Sequence, residues 1–304
     1  MSKFVVQTGI IVETGFQTKV LSGSGVLYNT KIKNIVVSGR EKSVTKLALG
    51  DEVSFELVEN TARITEIRIP RTILSRESVR YPYRSKIMAA NLDQVILVFS
   101  NPYPDTPLGL IDRMIVAALS GGMSVVLCRN KSDLFSHQDE LTLLYRQAGF
   151  SVIETSVKSK AGLKDLIQIL HHKKSLFLGV SGVGKTSLVK EITGIDLVTP
   201  HHEIEQVRGH HITTYSKLYQ LDQDSFIADI PGIKQLGFIG QFNAGLYFPD
   251  ITKYSQQCAF SNCSHTNEPK CEVRKALENG SIHPSRYASY QKIQQEIREK
   301  TSYS

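Results

Sequence analysis

Tryptophan is absent from this sequence of 304 residues, and cysteine and methionine occur only four times each. Long apolar runs are absent as well, because no stretch approaches the roughly 18 consecutive apolar residues of a membrane-spanning helix. The first 15 residues lack the basic and apolar regions of a secretory signal, so we expect a cytoplasmic protein with no membrane partner. Apolar residues nevertheless make up 41% of the chain, which excludes disorder throughout.

Acidic residues are scarce in one part of the chain. Residues 1–86 carry 14 lysines and arginines against 8 aspartates and glutamates, whereas residues 87–304 carry 22 against 21. Most of the formal net charge of +7 therefore lies near the N-terminus. A localised basic surface suits a polyanion such as RNA, and a merely solvated protein face is the alternative.

Residue patterns predict four consecutive regions. Residues 1–70 contain short β-rich runs separated by glycine and asparagine, which is typical of a five-stranded oligonucleotide-binding (OB) barrel. Residues 71–88 are rich in arginine and poor in apolar side chains, which predicts a basic linker. Residues 89–245 alternate strand-like and helix-like patterns, as in a parallel sheet with helices on its faces. Residues 246–304 hold a cysteine cluster and then a polar helix, predicted near 285–299.

The boundaries of the individual elements follow from the same patterns. The five barrel strands are predicted at Phe4–Thr14, Lys19–Tyr28, Asn34–Val37, Glu52–Leu57 and Ala62–Ile69. The strands of the third region are predicted at Leu92–Ser100, Ser124–Arg129, Ser151–Thr155 and Ser175–Gly179. Its helices are predicted at Leu110–Ser120, Gln138–Ala148 and Leu163–His171.

Residues 179–186 read GVSGVGKT, which matches the phosphate-binding P-loop pattern between an apolar strand and a helix. The three glycines let backbone N–H groups surround phosphate oxygens at the start of the helix. Lys185 can neutralise the β- and γ-phosphates, and the Thr186 hydroxyl can bind Mg²⁺. The predicted phosphate-binding residues are Gly179, Val180, Ser181, Gly182, Val183, Gly184, Lys185, Thr186 and Ser187.

Residues 130–133 read NKSD and directly follow the apolar run SVVLCR. Asp133 can accept two hydrogen bonds from guanine that adenine cannot supply. Asn130 can contact the opposite edge of the base, and the aliphatic stem of Lys131 can pack on the guanine ring. Ser156 belongs to Thr155-Ser156-Val157, where GTPases place a backbone N–H against guanine. GTP is therefore favoured over ATP; an ordinary polar turn, and hence an ATPase, is the alternative.

Residues 229–232 read DIPG after a further strand-like run. Asp229 is placed to hold Mg²⁺ through water, and the Gly232 N–H to meet the γ-phosphate. Thr213 or Thr214, in the preceding VRGHHITTYS, could complete the Mg²⁺ shell, with an ordinary polar loop as the alternative. Because NKSD precedes the P-loop here, a single site built from these motifs requires a circularly permuted domain.

The whole chain resembles the circularly permuted, ribosome small-subunit-dependent GTPase A family. The resemblance rests on AANLDQVILVFS at 89–100, LIDR at 110–113, NKSDL at 130–134, GVSGVGKTSL at 179–188, RGHHITT at 208–214, DIPG at 229–232, FPD at 248–250 and the cysteine segment. It implies a multidomain protein: an all-β OB barrel, an α/β circularly permuted P-loop GTPase domain and a small helical zinc-binding domain. It also implies GTP hydrolysis late in small-subunit maturation, stimulated by that particle and its rRNA.

Ile233 follows the DIPG motif at the position near which many GTPases place a water-orienting glutamine. An aliphatic side chain cannot orient water, so intrinsic hydrolysis should be slow. The resemblance points to His211 as the group that positions the water, assisted by Lys185 and Thr213; the neighbouring His210 leaves the assignment open between the two histidines. A nucleotide-gated RNA-binding scaffold with incidental hydrolysis is the alternative function.

Three of the four cysteines and one histidine follow the pattern C-x4-C-x-H-x5-C, formed by Cys258, Cys263, His265 and Cys271. In a reducing cytosol such crowding favours a metal site over disulfides. Four ligands of this type close a tetrahedral Zn²⁺ shell, so the site would be structural, with free thiols as the alternative. The resemblance assigns one zinc ion to the same positions. We further expect a monomer, and Cys128 is most simply a core residue.

Overall fold

The computed structural model of the chain describes residues 6–15, 17–37, 47–77, 85–101, 103–135, 140–194, 216–230, 236–238 and 242–301. Across these residues, no helix is both long enough and apolar enough to cross a membrane.

A closed five-stranded barrel forms the N-terminal part. Its strands pair in the cyclic order β1-β2-β3-β5-β4-β1, and only the β3–β5 pair is parallel. This closure is the predicted OB-type barrel. The strands are β1 Val6–Thr14, β2 Lys19–Ser22, β3 Leu27–Val37, β4 Glu52–Val58 and β5 Thr61–Ile67. Its buried core consists of Ile11, Val20, Leu47, Val53, Phe55, Ala62, Ile64 and Ile67.

The prediction of one strand over Lys19–Tyr28 is wrong, because a turn divides it into β2 and β3. The Ser22 hydroxyl accepts a hydrogen bond from the Val26 N–H at 3.0 Å, and the Ser22 N–H donates to the Val26 carbonyl at 2.9 Å. Gly25 has a φ of 81°, a conformation that favours glycine. The small residues of SGSG therefore reverse the chain where the β-rich composition predicts a continuous strand.

Two strands occupy part of the segment predicted as a basic linker. Strand β6, Ile73–Glu77, pairs antiparallel with β7, Ser85–Ala90. Leu74 and Ser75 are almost completely buried, although arginines dominate the composition around them. Leu74 packs in the main hydrophobic core, and the Ser75 hydroxyl donates to the Gly237 carbonyl at 3.2 Å, contacts that composition cannot reveal. The domain boundaries themselves stay a prediction.

A parallel sheet with flanking helices forms the central part. Its strands lie in the order β10-β9-β8-β11-β13-β12, and β12 is antiparallel to β13. The predicted strands and helices that precede the P-loop are confirmed, with ends that differ by at most two residues. The elements are β8 Gln94–Phe99, α1 Leu108–Ser120, β9 Ser124–Asn130, α2 Glu140–Gln147, β10 Val152–Thr155, α3 Leu163–Leu170, β11 Lys174–Leu178, α4 Lys185–Thr193, β12 Ser216–Gln220 and β13 Phe226–Asp229.

The order of strands places the motifs at one edge of this sheet. NKSD begins at the end of β9, the P-loop joins β11 to α4, and DIPG begins at the end of β13. The carboxyl ends of parallel strands meet at one edge, which is where open α/β sheets bind ligands. The motifs therefore converge although their order along the chain is permuted.

Barrel and central sheet are continuous, which the sequence does not predict. Strand β1 pairs antiparallel with β12 through Glu13–Lys217 and Thr14–Ser216. The buried Glu13 carboxylate forms ion pairs with Lys19 at 2.8 Å and Lys217 at 3.2 Å. Burial alone would raise the pKa of Glu13, but the two lysines outweigh this effect and hold that pKa below its usual value. An ion pair between Glu13 of β1 and Lys217 of β12 therefore spans the join.

Three helices end the chain: α5 Pro249–Ser255, α6 Glu272–Glu278 and α7 Pro284–Thr301. Arg286 of α7 is 1% exposed and forms ion pairs with Asp112 of α1 and Asp250 of α5. Its Nε and Nη2 atoms donate to the two Asp250 oxygens at 3.0 and 2.9 Å, and the Tyr145 hydroxyl donates to Asp112 at 3.0 Å. The carboxylates of the LIDR and FPD motifs thus share one buried guanidinium.

We expect Arg286→Met to lower the free energy of unfolding by about 3 kcal/mol or more, because it leaves two buried carboxylates without their cation. Arg274→Met is the matched control and should have little effect, since Arg274 pairs with Glu278 on the surface of α6, where the two side chains are 42% and 67% exposed. Urea unfolding followed by circular dichroism measures both. Equal losses of unfolding free energy in the two variants would contradict a special role of the buried Arg286 ion pairs.

Candidate functional site

The P-loop forms a tight turn between β11 and α4. Gly179 has a φ of 154°, and a Cβ atom there would lie 2.0 Å from the Val98 carbonyl oxygen. Gly184 has a φ of 96°, and a Cβ atom there would lie 2.3 Å from Nδ2 of Asn130. Neither position has room for a side chain. The glycines therefore allow the loop to approach β8 and the NKSD motif closely.

Lys185 and Asp229 lie near each other at the base of the P-loop. The Lys185 ammonium donates to the carbonyl oxygens of Gly179 and Val180, both at 2.8 Å. Burial lowers the pKa of Lys185, and the nearby Asp229 carboxylate opposes that shift. Thr186 is exposed in the first turn of α4, where its hydroxyl can reach a ligand. A cation and a carboxylate thus stand together where a phosphate and its metal ion are predicted.

Asn130 connects the NKSD motif to the P-loop. Its Nδ2 atom donates to the Val183 carbonyl at 2.8 Å, and its Oδ1 atom accepts from the Thr155 hydroxyl at 3.1 Å. Asn130 and Thr155 are buried, so both hydrogen bonds are made away from water. No sequence motif predicts a role for the Thr155 side chain, but Thr155 ends β10 and so lies at the same sheet edge as the motifs.

Asp133 is exposed and accepts a hydrogen bond from the Ser156 hydroxyl at 2.6 Å. This bond is the main reason why the pKa of Asp133 lies below its usual value, so the carboxylate stays an acceptor at neutral pH. The Ser156 N–H donates to the Ala161 carbonyl at 3.1 Å. In this structure the Ser156 hydroxyl orients Asp133 and its N–H is bound to Ala161, so a contact of this segment with guanine stays a prediction.

Lys131 lies between the P-loop and the loop that contains Tyr103, which no sequence motif marks as part of the site. It has a φ of 64°, and its Nζ atom donates to the carbonyl oxygens of Tyr103 at 2.6 Å and Gly182 at 2.9 Å. The only sequence signal for this loop is the proline-rich NPYPDTP directly after β8.

Several predicted residues lie outside the residues that the structure describes. They are His210, His211, Thr213, Thr214, Gly232 and Ile233. The catalytic histidine and the loop contribution to the Mg²⁺ shell stay predictions. The residues that are brought together are the P-loop, Asn130, Lys131, Asp133, Ser156 and Asp229.

The cysteine segment forms a compact set of ligand atoms. The ligand atoms of Cys258, Cys263, His265 and Cys271 all lie within 4.8 Å of one another. Nδ1 of His265 lies 3.6 Å from the Cys258 Sγ and 3.5 Å from the Cys271 Sγ, and these two sulfurs are 3.9 Å apart. Bonds of about 2.3 Å to sulfur and about 2.0 Å to nitrogen give tetrahedral edges of roughly 3.5–3.8 Å. The residues present therefore fit one zinc ion.

The surroundings of this set are also ordered. His265 is 5% exposed, and its backbone carbonyl accepts a hydrogen bond from the Tyr287 hydroxyl of α7 at 2.5 Å.

Cys128 lies far from the set in sequence and is fully buried in β9, where burial raises its pKa to about 12. Such a thiol stays protonated and behaves as a small core residue.

Comparisons with known proteins agree on one family. The model of the family described as RsgA GTPase matches residues 69–239. A protein of Flavobacterium psychrophilum named small ribosomal subunit biogenesis GTPase RsgA is 35% identical over 299 residues, which cover 94% of this chain and 92% of the relative. A protein of Bacteroides fragilis with the same name is 35% identical over 290 residues, covering 92% of this chain and 94% of the relative.

Solved structures give the same result for the fold. The structure of YjeQ from Thermotoga maritima superposes with a TM-score of 0.73 at 28% identity, covering 96% of this chain and 99% of that one. The structure of YloQ, described as a circularly permuted GTPase, superposes with a TM-score of 0.70 at 27% identity, covering 97% and 96%. The likeness extends over all parts of the chain, and the predicted circular permutation is confirmed.

We expect the purified protein to carry about one equivalent of zinc and Cys271→Ser to lose most of it, because three ligands leave the tetrahedral shell open. Elemental analysis measures the metal. Cys128→Ala is the control, since this buried thiol lies outside the set and should leave the zinc content unchanged. Less than about half an equivalent in the unmodified protein, purified without chelator, would argue for free thiols.

Proposed function

The chain belongs to the RsgA GTPase family, and on that premise we propose that it hydrolyses GTP to GDP and phosphate during maturation of the small ribosomal subunit. The particle, with its rRNA, is the proposed partner and the stimulator of hydrolysis. The observation that carries the proposal is the contact between NKSD and the P-loop, in which Asn130 donates to the Val183 carbonyl. This contact unites a base-reading motif and a phosphate-binding motif in one site.

Phosphate binding is assigned to the P-loop, residues 179–187. Lys185 would exchange its two backbone carbonyl partners for the β- and γ-phosphate oxygens, which are stronger acceptors because they are charged. Thr186 and Asp229, together with Thr213, would hold Mg²⁺, which when bound neutralises charge on the phosphate oxygens. The Gly232 N–H would meet the γ-phosphate.

Water positioning is assigned to His211, with His210 as the neighbouring candidate. Ile233 cannot orient water, so the isolated protein should turn over slowly. Stimulation by the particle would then act by placing this histidine beside the attacking water. The same Ile233 favours the second candidate function, a nucleotide-gated RNA-binding scaffold in which hydrolysis is incidental.

Attachment to the particle is assigned to the barrel and the C-terminal part. The basic charge of residues 1–86 suits rRNA phosphates, and OB barrels commonly bind nucleic acid. One structural zinc ion would stabilise residues 246–304, where α5 and α6, the helices before α7, are short. We further propose a cytoplasmic, monomeric protein.

Turnover of GTP with and without purified small ribosomal subunits tests the proposed function. We expect slow turnover alone and a large stimulation by small subunits, with large subunits as the control. A Lys185→Ala variant should lose the stimulated activity, because the cation that neutralises the phosphates is gone. Nucleotide-dependent attachment without stimulation would instead favour the scaffold, and absence of guanine nucleotide binding would contradict both functions.

Asp133→Asn tests the base-reading role. We expect GTP to bind about 100-fold more weakly, because two hydrogen bonds to a charged acceptor are lost, and xanthosine triphosphate to become the better substrate. Competition binding with both nucleotides measures the change. Asp165→Asn, an exposed carboxylate on α3, is the matched control and should leave binding unchanged. Undiminished preference for GTP in Asp133→Asn would remove Asp133 from guanine recognition.

A further inference from the structure

The loop that follows β8, described at Ser100, Asn101 and residues 103–107, contacts the tip of the P-loop through Pro104. A Cβ atom on Gly182 would lie 3.7 Å from Cγ of Pro104. Lys131 joins the two loops, because its ammonium donates to the Tyr103 carbonyl on one side and to the Gly182 carbonyl on the other. Tyr103 and Pro104 therefore border the predicted nucleotide site, next to the lysine that is expected to cover the base.

Two buried hydroxyl groups hold this loop closed. The Ser100 hydroxyl lies 3.1 Å from the Tyr103 carbonyl oxygen and 3.0 Å from the Pro104 carbonyl oxygen, and shares its one hydrogen between them in a bifurcated hydrogen bond. The Thr106 hydroxyl and N–H both donate to the Ser100 carbonyl, at 3.2 and 3.3 Å. Ser100 is 1% exposed and Thr106 is 2% exposed, although the loop itself reaches the surface.

The Tyr103 carbonyl connects this hydroxyl pair to Lys131. A carbonyl oxygen has two lone pairs, and here one accepts from Ser100 while the other accepts from Lys131. Ser100 thus fixes the direction of the carbonyl that holds the ammonium, and Thr106 fixes the backbone of Ser100. Gly182 is the one predicted phosphate-binding residue in these contacts, and it takes part through its carbonyl, which does not bind phosphate.

We propose that Ser100 and Thr106 are positioning residues that set guanine nucleotide affinity by holding Lys131 in its binding conformation before the nucleotide arrives. The proposal rests on the proposed function, since it assumes that Lys131 covers the base. A lysine side chain has several rotatable bonds, and ordering it costs conformational entropy. Two carbonyl partners order it in advance, so that cost is removed from nucleotide binding.

The location of these contacts predicts which kinetic constants change. Lys131 lies on the base side of the site, so it contributes equally to GTP, GDP and the transition state. Loss of such uniform binding raises the KM and leaves the kcat unchanged. A residue that only stabilised the fold would lower the unfolding midpoint without changing nucleotide affinity at temperatures where the protein is folded.

The test measures dissociation constants of fluorescent GTP and GDP analogues, together with the basal kcat at saturating GTP. We expect Thr106→Val, which keeps the shape and removes the hydroxyl, to weaken both nucleotides about fivefold. Thr106→Ser restores the hydroxyl and should bind within about twofold of the unmodified protein. The control is Asn101→Ala, which removes an exposed hydrogen bond to Asp105 in the same loop and should change neither constant.

A double-mutant cycle connects the effect to the lysine. Ser100→Ala alone should weaken both nucleotides about fivefold, but should have no further effect in a Lys131→Met background. Equal losses in both backgrounds, or unchanged affinity in Thr106→Val and Ser100→Ala, would overturn the proposal while leaving the proposed function intact. Failure of the unmodified protein to bind guanine nucleotides would instead contradict the proposed function.

Discussion

The guanidinium of Arg286 is buried between the carboxylates of Asp112 and Asp250, and the attachment of the last helix to the central part of the chain depends on this arrangement. A buried charge is tolerated only when partners replace its water, and here the carboxylates and three aromatic rings surround it. The ring of Phe248 lies 4.5 Å from the guanidinium carbon. The LIDR and FPD motifs thus have a structural role, because each supplies one of the carboxylates.

The next residue along α1 makes a second connection. Arg113 pairs with Glu296 of α7 and donates to the Leu236 carbonyl at 2.9 Å. The Gly237 N–H in turn donates to the Ser75 carbonyl of β6 at 3.1 Å. Leu236 and Gly237, which follow the DIPG motif in the chain, are therefore held on one side by Arg113 of α1, which itself pairs with α7, and on the other side by β6. Three parts of the chain meet at this short segment.

The nucleotide site is built on the same principle of paired polar groups. Asn130 holds the P-loop, Ser156 orients Asp133, and the Tyr103 carbonyl holds Lys131. Asn130, Asp133 and Lys131 of the NKSD motif are thus each held by a neighbour on another strand or loop. Such support limits the rearrangement that binding requires, because the side chains are already ordered. His265 of the cysteine–histidine set receives similar support from Tyr287 of α7.

The sequence by itself determined the fold class, the alternation of strands and helices, the P-loop, NKSD and DIPG motifs and the cysteine–histidine set. These depend on residue types at short spacings, which local patterns record. Only the tertiary structure decided the β1–β12 join, the β6–β7 ladder, the carbonyl partners of Lys131 and the ion pairs of Arg286. The partners of β1, Lys131 and Arg286 are distant in the chain, as for Arg286 and Asp112, 174 residues apart. The β6–β7 ladder is local, but the Ser75 hydroxyl of β6 donates to the distant Gly237 carbonyl. Composition cannot reveal such contacts, because burial and charge pairing arise only when the elements pack together.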